Sequence, residues 1–372
     1  MTDLSTLLES ALIDDAHLAQ ARAAAELRAG RPLLIEAGGE ATLVAALDGA
    51  SPSLFSLFAG LEGGALVLTP ERARMMGMAV DRAVALPLKG LDLLGVQRLA
   101  SDPGLATPLA WTDAGAGAQG AIDLCKKTLL LPSVLAAPVP RDAALPARLQ
   151  RYRLDSSVTP SMAPYDLEIV SEADVPLAGG VASRFVVFRA GPADRDQIAV
   201  VIGQPDFEKP VLVRAHSACV TGDLFGSLRC DCGDQLKNAM AAMREAGGGV
   251  LLYLDQEGRG IGIGNKMRAY TLQDDGFDTI DADAVLGFSA DERRYDYAAS
   301  MLHKLGVRQV VLLTNNPEKI GALTRAGIEV VDHRPLFGRV TSQNIHYLHV
   351  KERRARHMLR DLLADPEVTG TN

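Results

Sequence analysis

Apolar residues in this chain follow two rhythms. Short continuous runs, Arg184-Phe-Val-Val-Phe188, Gln197-Ile-Ala-Val-Val-Ile202 and Pro210-Val-Leu-Val-Arg214, are separated by Gly, Pro and Asp and predict several paired strands. From Leu236 to Glu245 the spacing lengthens: Leu236, Met240 and Met243 share one helical face, and Gly247 follows as a C-cap. Gly249-Val-Leu-Leu-Tyr-Leu254 and Gln309-Val-Val-Leu-Leu-Thr314 read as buried strands, and Asn265 to Asp274 as a helix. Asn316-Pro317 starts a helix that ends at Gly327, and Ile328-Glu-Val-Val-Asp332 returns to β.

The first third is built of smaller residues. An Ala-rich stretch from Ala19 to Arg28 predicts a helix, and Pro32-Leu-Leu-Ile-Glu36 and Gly64-Ala-Leu-Val-Leu-Thr69 predict strands. Thr69-Pro70-Glu71 places an N-cap before a proline at the first helical position. Between Ala136 and Pro164 the prolines 138, 140, 146, 160 and 164 predict a linker or irregular structure. The expectation is an α+β or α/β chain of two domains, an α/β domain over residues 1–160 and a mixed sheet with flanking helices over residues 161–372.

Composition narrows the class. A length of 372 residues, at roughly 150 per domain, agrees with two domains. Hydrophobic residues at 48% and charged residues at 23% exclude a disordered chain. No apolar run approaches the roughly 20 residues of a membrane helix, and Met1 to Glu9 lacks the basic start of a secretory signal, so a cytoplasmic address is expected. A net charge of −8 argues against a nucleic-acid surface but leaves room for a local basic pocket holding one anion.

The chemistry concentrates after residue 210. Of the four cysteines, Cys125 stands alone and reads as a packing residue, while Cys219 precedes a Cys230-Asp-Cys232 pair. Cys-x-Cys thiols cannot easily form a disulfide together but can share a soft metal with a third thiolate, and zinc fits best. Three protein ligands leave a position for a water whose pKa falls to about 7. Unliganded buried thiols, or a structural zinc with His216 as fourth ligand, are the competing readings.

A second constellation, Gln256-Glu-Gly-Arg-Gly-Ile-Gly-Ile-Gly-Asn-Lys266, lies between a strand and a helix. Its glycines allow close approach of a ligand to backbone, and Arg259 and Lys266 can neutralise phosphate. It matches neither the Rossmann turn nor the P-loop. Glu257 can accept from a planar donor pair such as guanine's ring N–H and 2-amino group, or simply pair with an arginine. Asp291-Glu-Arg-Arg-Tyr-Asp296 reads as the opening of a helix that continues to Leu305, and Thr314-Asn-Asn-Pro-Glu-Lys319 as a strand-to-helix loop suited to anions.

These segments together resemble GTP cyclohydrolase II, from Arg214-Ala-His-Ser-Ala-Cys-Val-Thr-Gly-Asp-Leu-Phe-Gly-Ser-Leu-Arg-Cys-Asp-Cys-Gly233 through Leu312-Leu-Thr-Asn-Asn-Pro317, over roughly residues 170 to 350. The resemblance implies zinc-dependent opening of the imidazole ring of GTP in riboflavin biosynthesis, with loss of formate and pyrophosphate, giving 2,5-diamino-6-ribosylamino-4(3H)-pyrimidinone 5′-phosphate. It implies one Zn²⁺ per subunit on Cys219, Cys230 and Cys232, Mg²⁺ with the GTP phosphates, and a homodimer with no nucleic-acid or membrane partner. GTP contacts fall by resemblance on Arg214, His216, Ser217, Gln235, Glu257, Gly258, Arg259, Thr279, Thr314 and Lys319. Asp291 takes the place of a proton acceptor and Tyr270 lies at the active site. Arg293 takes the place of a nucleophile toward the α-phosphate, although a guanidinium of pKa above about 12 suits charge stabilisation better.

The chain departs from the family pattern at Ala218, where many members carry Glu, and at Asp255, where they carry a basic residue. Upstream, Glu26-Leu-Arg-Ala-Gly-Arg-Pro-Leu-Leu-Ile-Glu36 and Thr69-Pro-Glu-Arg-Ala-Arg-Met-Met-Gly77 resemble dihydroxybutanone phosphate synthase faintly. Ala37-Gly-Gly-Glu40 lacks that family's acidic cluster, so a degenerate, non-catalytic domain is expected there. Two other functions suit the same residues: a family branch that opens the ring without losing pyrophosphate, and a non-catalytic guanine-nucleotide-binding regulator whose zinc is structural.

Overall fold

The computed structural model describes residues 16–105, 110–154, 167–178, 180–189 and 195–364. The chain divides into two compact units, one comprising Met1–Pro160, Gly191–Ala193 and Asp281–Ala290, the other Ser161–Ala190, Asp194–Ile280 and Asp291–Asn372. The segment Asp281–Ala290, which the sequence reading grouped with the later residues, clusters with the first unit. Gly287 explains how it fits there, since a Cβ at that position would come within 2.8 Å of the Thr69 hydroxyl.

In the first unit the strands are β1 (Leu33–Ala37), β2 (Glu40–Ala46), β3 (Ala65–Leu68), β4 (Val84–Pro87), β5 (Thr112–Asp113), β6 (Ser133–Val139) and β7 (Arg151–Leu154). They form one sheet in the order β5-β4-β3-β6-β2-β1-β7, antiparallel except where β7 joins β1. The helices are α1 (Ala16–Arg28), α2 (Pro52–Gly60), α3 (Pro70–Met75), α4 (Leu93–Ser101) and α5 (Ala116–Lys127). Thr69 caps α3 as expected, its hydroxyl accepting from the Arg72 amide at 3.2 Å. Gly38 and Gly39, both with positive φ, close the β1–β2 hairpin where the sequence lacks an acidic cluster. Cys125 lies in the core with Leu33, Ile35, Val44, Ile122 and Val134, and burial pushes its thiol pKa up.

The expected linker from Ala136 to Pro164 is a correction in part. Its start completes β6, and Arg151–Leu154 forms β7, while residues 155–166 lie outside the described residues. Pro138 is tolerated because it sits at the exposed end of β6.

The second unit carries β8 (Glu168–Asp174), β9 (Ser183–Arg189), β10 (Gln197–Gly203), β11 (Val211–Ser217), β12 (Gly248–Leu254), β13 (Gln309–Leu313) and β14 (Glu329–Arg334), in the order β14-β13-β11-β12-β10-β9-β8. Strands β8, β9, β10 and β12 pair antiparallel, whereas β12, β11, β13 and β14 run parallel. Continuous apolar runs arise because both faces of this sheet are covered. Val211 and Val213, Val250 and Leu252 face a layer that includes Ala298, Met301 and Leu302, while Leu212 and Leu251 face Ala239 and Met243.

The helices after β11 are α6 (Val220–Asp223), α7 (Cys232–Glu245), α8 (Gly262–Asp274), α9 (Thr279–Val285), α10 (Asp296–Lys304), α11 (Pro317–Arg325), α12 (Ile345–Arg353) and α13 (Arg360–Ala364), all in the second unit except α9, which from Asp281 onward clusters with the first. The helix expected to open at Asp291 starts instead at Asp296, for a reason that belongs to the site.

Met243, fully buried, holds α7 against the sheet. Met243→Ala is expected to cost about 2–5 kcal/mol, measured as a lowered urea midpoint; an unchanged midpoint contradicts this packing role.

Candidate active site

Three adjacent parallel strands, β12, β11 and β13, deliver their carboxyl-terminal loops to one edge of the sheet, the place where ligands bind in open α/β sheets. The loop ends are tied together: the Ala218 amide donates to the Leu254 carbonyl at 2.8 Å, and Gln256 Nε2 donates to Ser217 Oγ at 3.0 Å.

After β11 the chain turns through Cys219 into α6. Asp223 organises this turn, its carboxylate accepting from the Cys219 amide at 2.9 Å, from Tyr253 Oη at 2.9 Å and from His216 Nε2 at 3.1 Å. Burial lowers the His216 pKa, with Asp223 opposing, so the ring is neutral and its proton sits on Nε2. Its Nδ1 is then a buried acceptor without a partner among the described residues.

The Sγ atoms of Cys219, Cys230 and Cys232 all lie within 4.8 Å of one another, and Cys219 and Cys230 are 3.8 Å apart. Among the described residues no histidine or carboxylate joins this group. Gly222 makes room for it: a Cβ there would lie 2.9 Å from Cys230 Sγ and 3.1 Å from Cys219 Sγ. Hydrogen bonding from Cys230 and Cys232 drives the Cys219 pKa down, and the Lys266 ammonium adds to this, donating to Cys219 Sγ at 3.2 Å. Three soft donors in a cradle shaped by a glycine could hold a metal ion, and thiol donors suit zinc.

The glycine loop follows β12 as a short 3₁₀ turn, Glu257–Gly260. Gly258, Arg259, Gly260 and Gly262 all have positive φ. Gly260 serves the chain itself, because a Cβ there would lie 2.7 Å from the Glu292 carbonyl oxygen. Residues 291–295 run along this loop instead of entering the helix: the Glu292 amide donates to the Arg259 carbonyl at 3.1 Å and the Arg294 amide to Gln256 Oε1 at 2.9 Å. Asp291 therefore does not act as a helix cap; it takes Arg293 Nε at 2.8 Å and Arg293 Nη2 at 2.5 Å. Both oxygens of Glu257 are likewise engaged by the chain, Oε2 by the Val220 amide at 2.6 Å and Oε1 by Lys266 Nζ at 2.8 Å.

The β13 loop brings the cations together. Arg214 Nη1 donates to the Leu313 carbonyl at 2.9 Å and Nη2 to Gln235 Oε1 at 2.6 Å. Lys319 Nζ donates to the Ala215 carbonyl at 2.7 Å, and burial followed by Arg214 and Arg293 lowers its pKa. Thr314 is buried and accepts from the Asn316 amide at 3.0 Å, while Asn316 caps α11. Both Lys319 and Arg293 lie over the Tyr295 ring, at 5.4 and 5.6 Å. Arg214 Nε, Arg259 Nε and the Tyr295 hydroxyl are buried without a hydrogen-bond partner among the described residues. Unmet donors amid buried cations have the chemistry that a polyanion would satisfy.

Tyr270, on α8, stands beside the thiols, with Arg229 at 5.1 Å and Lys266 at 5.7 Å from its ring centre. Thr279 opens α9 and accepts from Gln273 Nε2 at 3.4 Å. Sequence reasoning missed Asp223, Tyr253, Asp231, Tyr295 and the C-terminal residues Tyr347, Lys351 and His357. The His357 pKa is pushed to about 2, first by burial and then by Lys351, Arg293, Lys319 and Arg259, which places it among the same cations.

A family model described as GTP cyclohydrolase II matches residues 168–335. GTP cyclohydrolase-2 of Xylella fastidiosa (strain 9a5c) is 45% identical over 345 residues, covering 91% of this chain and 86% of that one. The chain belongs to the GTP cyclohydrolase II family. GTP cyclohydrolase-2 of Azospirillum brasilense is 38% identical over 360 residues, covering 91% of this chain and 93% of its own. The crystal structure of RibBX, a two-domain 3,4-dihydroxy-2-butanone 4-phosphate synthase from A. baumannii, aligns at 14% identity and a TM-score of 0.30, over 85% of this chain and 98% of that one. The segment matching the family model carries the thiol triad, the glycine loop and the cations on β11 and α11, and it ends before Tyr347, Lys351 and His357.

Gly260→Ala is expected to push the Glu292 backbone off the glycine loop, with about 1–3 kcal/mol of backbone strain. Chemical denaturation reads the cost, and wild-type stability in this variant contradicts the close approach.

Proposed function

We propose that this enzyme hydrolyses GTP, opening its imidazole ring with release of formate and pyrophosphate to give 2,5-diamino-6-ribosylamino-4(3H)-pyrimidinone 5′-phosphate. One observation carries the reading. A three-thiol cradle and a buried cationic cluster whose Arg214 Nε, Arg259 Nε and Tyr295 Oη have no partner among the described residues stand at the carboxyl ends of the same parallel strands. A hydrolase that works on both ends of a nucleoside triphosphate needs both.

Cys219, Cys230 and Cys232 would hold one zinc ion, which when bound supplies Lewis acidity and a water of near-neutral pKa for attack on the ring. Lys266 and Glu257 fix the cradle to the glycine loop. Arg214, Arg259, Arg293 and Lys319 neutralise the triphosphate, assisted by Thr314 and by a Mg²⁺ ion carried with GTP. Asp291 has its pKa lowered by Arg293 against the effect of burial, so it is ionised at neutral pH, as a proton acceptor must be. The same pairing aims Arg293, whose pKa rises through Tyr295 and Asp291 despite burial. A guanidinium so held is a charge stabiliser, not a nucleophile. His216, Ser217, Gln235, Gly258, Tyr270 and Thr279 complete the walls of the GTP site. The enzyme works in the cytoplasm as a homodimer, and its first unit is non-catalytic.

Incubation with GTP and Mg²⁺ is expected to yield formate and a diaminopyrimidine 5′-phosphate by mass spectrometry. A ring-opened triphosphate indicates retention of pyrophosphate, and no turnover by zinc-loaded protein leaves a binding regulator. Cys230→Ser is expected to abolish turnover with little loss of thermal midpoint, whereas collapse of the midpoint indicates a structural metal. Arg293→Lys, which breaks the bidentate pair with Asp291, is expected to lower kcat about 10²-fold; wild-type kcat contradicts charge stabilisation by this residue.

A further inference from the structure

Asp231 lies between two of the three thiols, yet its carboxylate is not within their cluster. It is 3% exposed, and each oxygen is held from outside, Oδ2 by Gln235 Nε2 at 2.6 Å and Oδ1 by Lys351 Nζ at 3.0 Å. Gln235 passes the restraint to the cationic cluster through its bond from Arg214. Lys351 comes from α12, and the chain leading to that helix is fastened around the thiol loop. Thr341 Oγ1 donates to the Leu228 carbonyl at 3.1 Å, and Arg339 Nε donates to Asp234 at 2.9 Å. Gly338 packs so closely that a Cβ would meet the Asp231 carbonyl oxygen at 2.8 Å and its own Cβ at 2.9 Å. The Lys351 ammonium also sits 4.2 Å from the centre of the Tyr347 ring.

Asp231 is the residue between Cys230 and Cys232 in the chain, which makes its carboxylate a candidate fourth ligand, and a fourth ligand converts an open zinc site into a closed one. We propose that Lys351 is a positioning residue: by binding Asp231 it keeps that carboxylate off the metal and so preserves the open coordination position. The proposal rests on zinc at the three thiols as put forward above. It makes helix α12 part of the active site although it supplies no group to the reacting atoms. Outer partners of metal sites act in this way, through charge-assisted bonds that orient groups near the ion.

The test uses the full-length zinc-loaded protein and reads metal retention, Co²⁺ spectra and turnover separately. Lys351→Met is expected to lower kcat about 10- to 100-fold, with KM for GTP little changed, while zinc loss to a chelator becomes slower. The Co²⁺-substituted variant is expected to show a spectrum that no longer responds to an added competing anion, because the fourth position is filled. Lys351→Arg, which keeps the charge, is expected to restore the wild-type spectrum and most of the turnover. Lys351→Met combined with Asp231→Asn is expected to lose the slowed release of zinc. Arg353→Ala, an exposed position on the same helix, controls for damage to the helix. Wild-type chelation kinetics, spectrum and kcat in Lys351→Met overturn the proposal, as does faster zinc loss with a fall in thermal midpoint, which marks a clamp on the fold. If the wild-type protein itself binds no zinc at the thiols, the proposed function fails instead; if it binds zinc and turns over GTP while Lys351→Met matches it, only this inference fails.

Discussion

The site depends on one buried ammonium. Lys266 Nζ donates to Cys219 Sγ at 3.2 Å, to Thr221 Oγ1 at 2.8 Å and to Glu257 Oε1 at 2.8 Å, so a single group joins the thiol loop, the glycine loop and helix α8. Burial works against its charge, and Glu257 together with the Cys219 thiolate more than offsets this, raising its pKa. Removing one partner from such a set leaves an uncompensated charge in a dry place, which is far more costly than the pair is stabilising. The consequence is a cradle whose parts cannot drift independently. Gly258 follows from the same constraint: its positive φ lets the loop fold back until a Cβ would lie 3.1 Å from Lys266 Cβ.

The sheet supplies what the ammonium cannot, a reason for three distant segments to meet. Strands β12, β11 and β13 are neighbours and parallel, so their following loops emerge on one side although they are far apart in sequence. Both faces of the sheet are covered by helices, which leaves the strand ends as the open edge. Function on this fold is therefore confined to loops whose anchors are rigid. The short bonds between them, Gln256 to Ser217 and Asn315 Nδ2 to the Leu336 carbonyl at 2.6 Å, hold that edge in register.

Much of this was legible in the sequence because the decisive chemistry is local. The Cys-x-Cys pair, the alternating glycines and the Asn-Pro helix start each state their geometry within a few residues. Local reading failed where a residue answers to a distant partner. The acids at 291–296 look like the first turn of a helix, but the Asp291 carboxylate is engaged by Arg293 and the Arg294 amide by Gln256, so the turn never forms. Strand β7 was hidden because Arg-Tyr-Arg-Leu buries only Tyr152 and is defined by pairing with β1. Lys351 is invisible for a similar reason: on α12 it is one basic residue among several, and its meaning comes from Asp231, far away in the chain.

Net charge and local charge then fall into place. The chain carries −8 overall, yet Arg214, Arg259, Arg293, Lys319 and Lys351 converge on one buried region. Their carboxylate partners are few and specific, Asp291 for Arg293 and Asp231 for Lys351. Lys319 shows the cost of this arrangement, since burial first and then the like charges of Arg214, Arg293 and Lys351 bring its pKa well below the ordinary range. Arg214 and Lys319 donate to internal carbonyls and Arg293 to Asp291, yet Arg214 Nε, Arg259 Nε and the Tyr295 hydroxyl have no partner among the described residues, and buried donors of that kind cost desolvation. The oxygens of a triphosphate would complete those bonds, which is the physical reason the proposed GTP site fits this cluster.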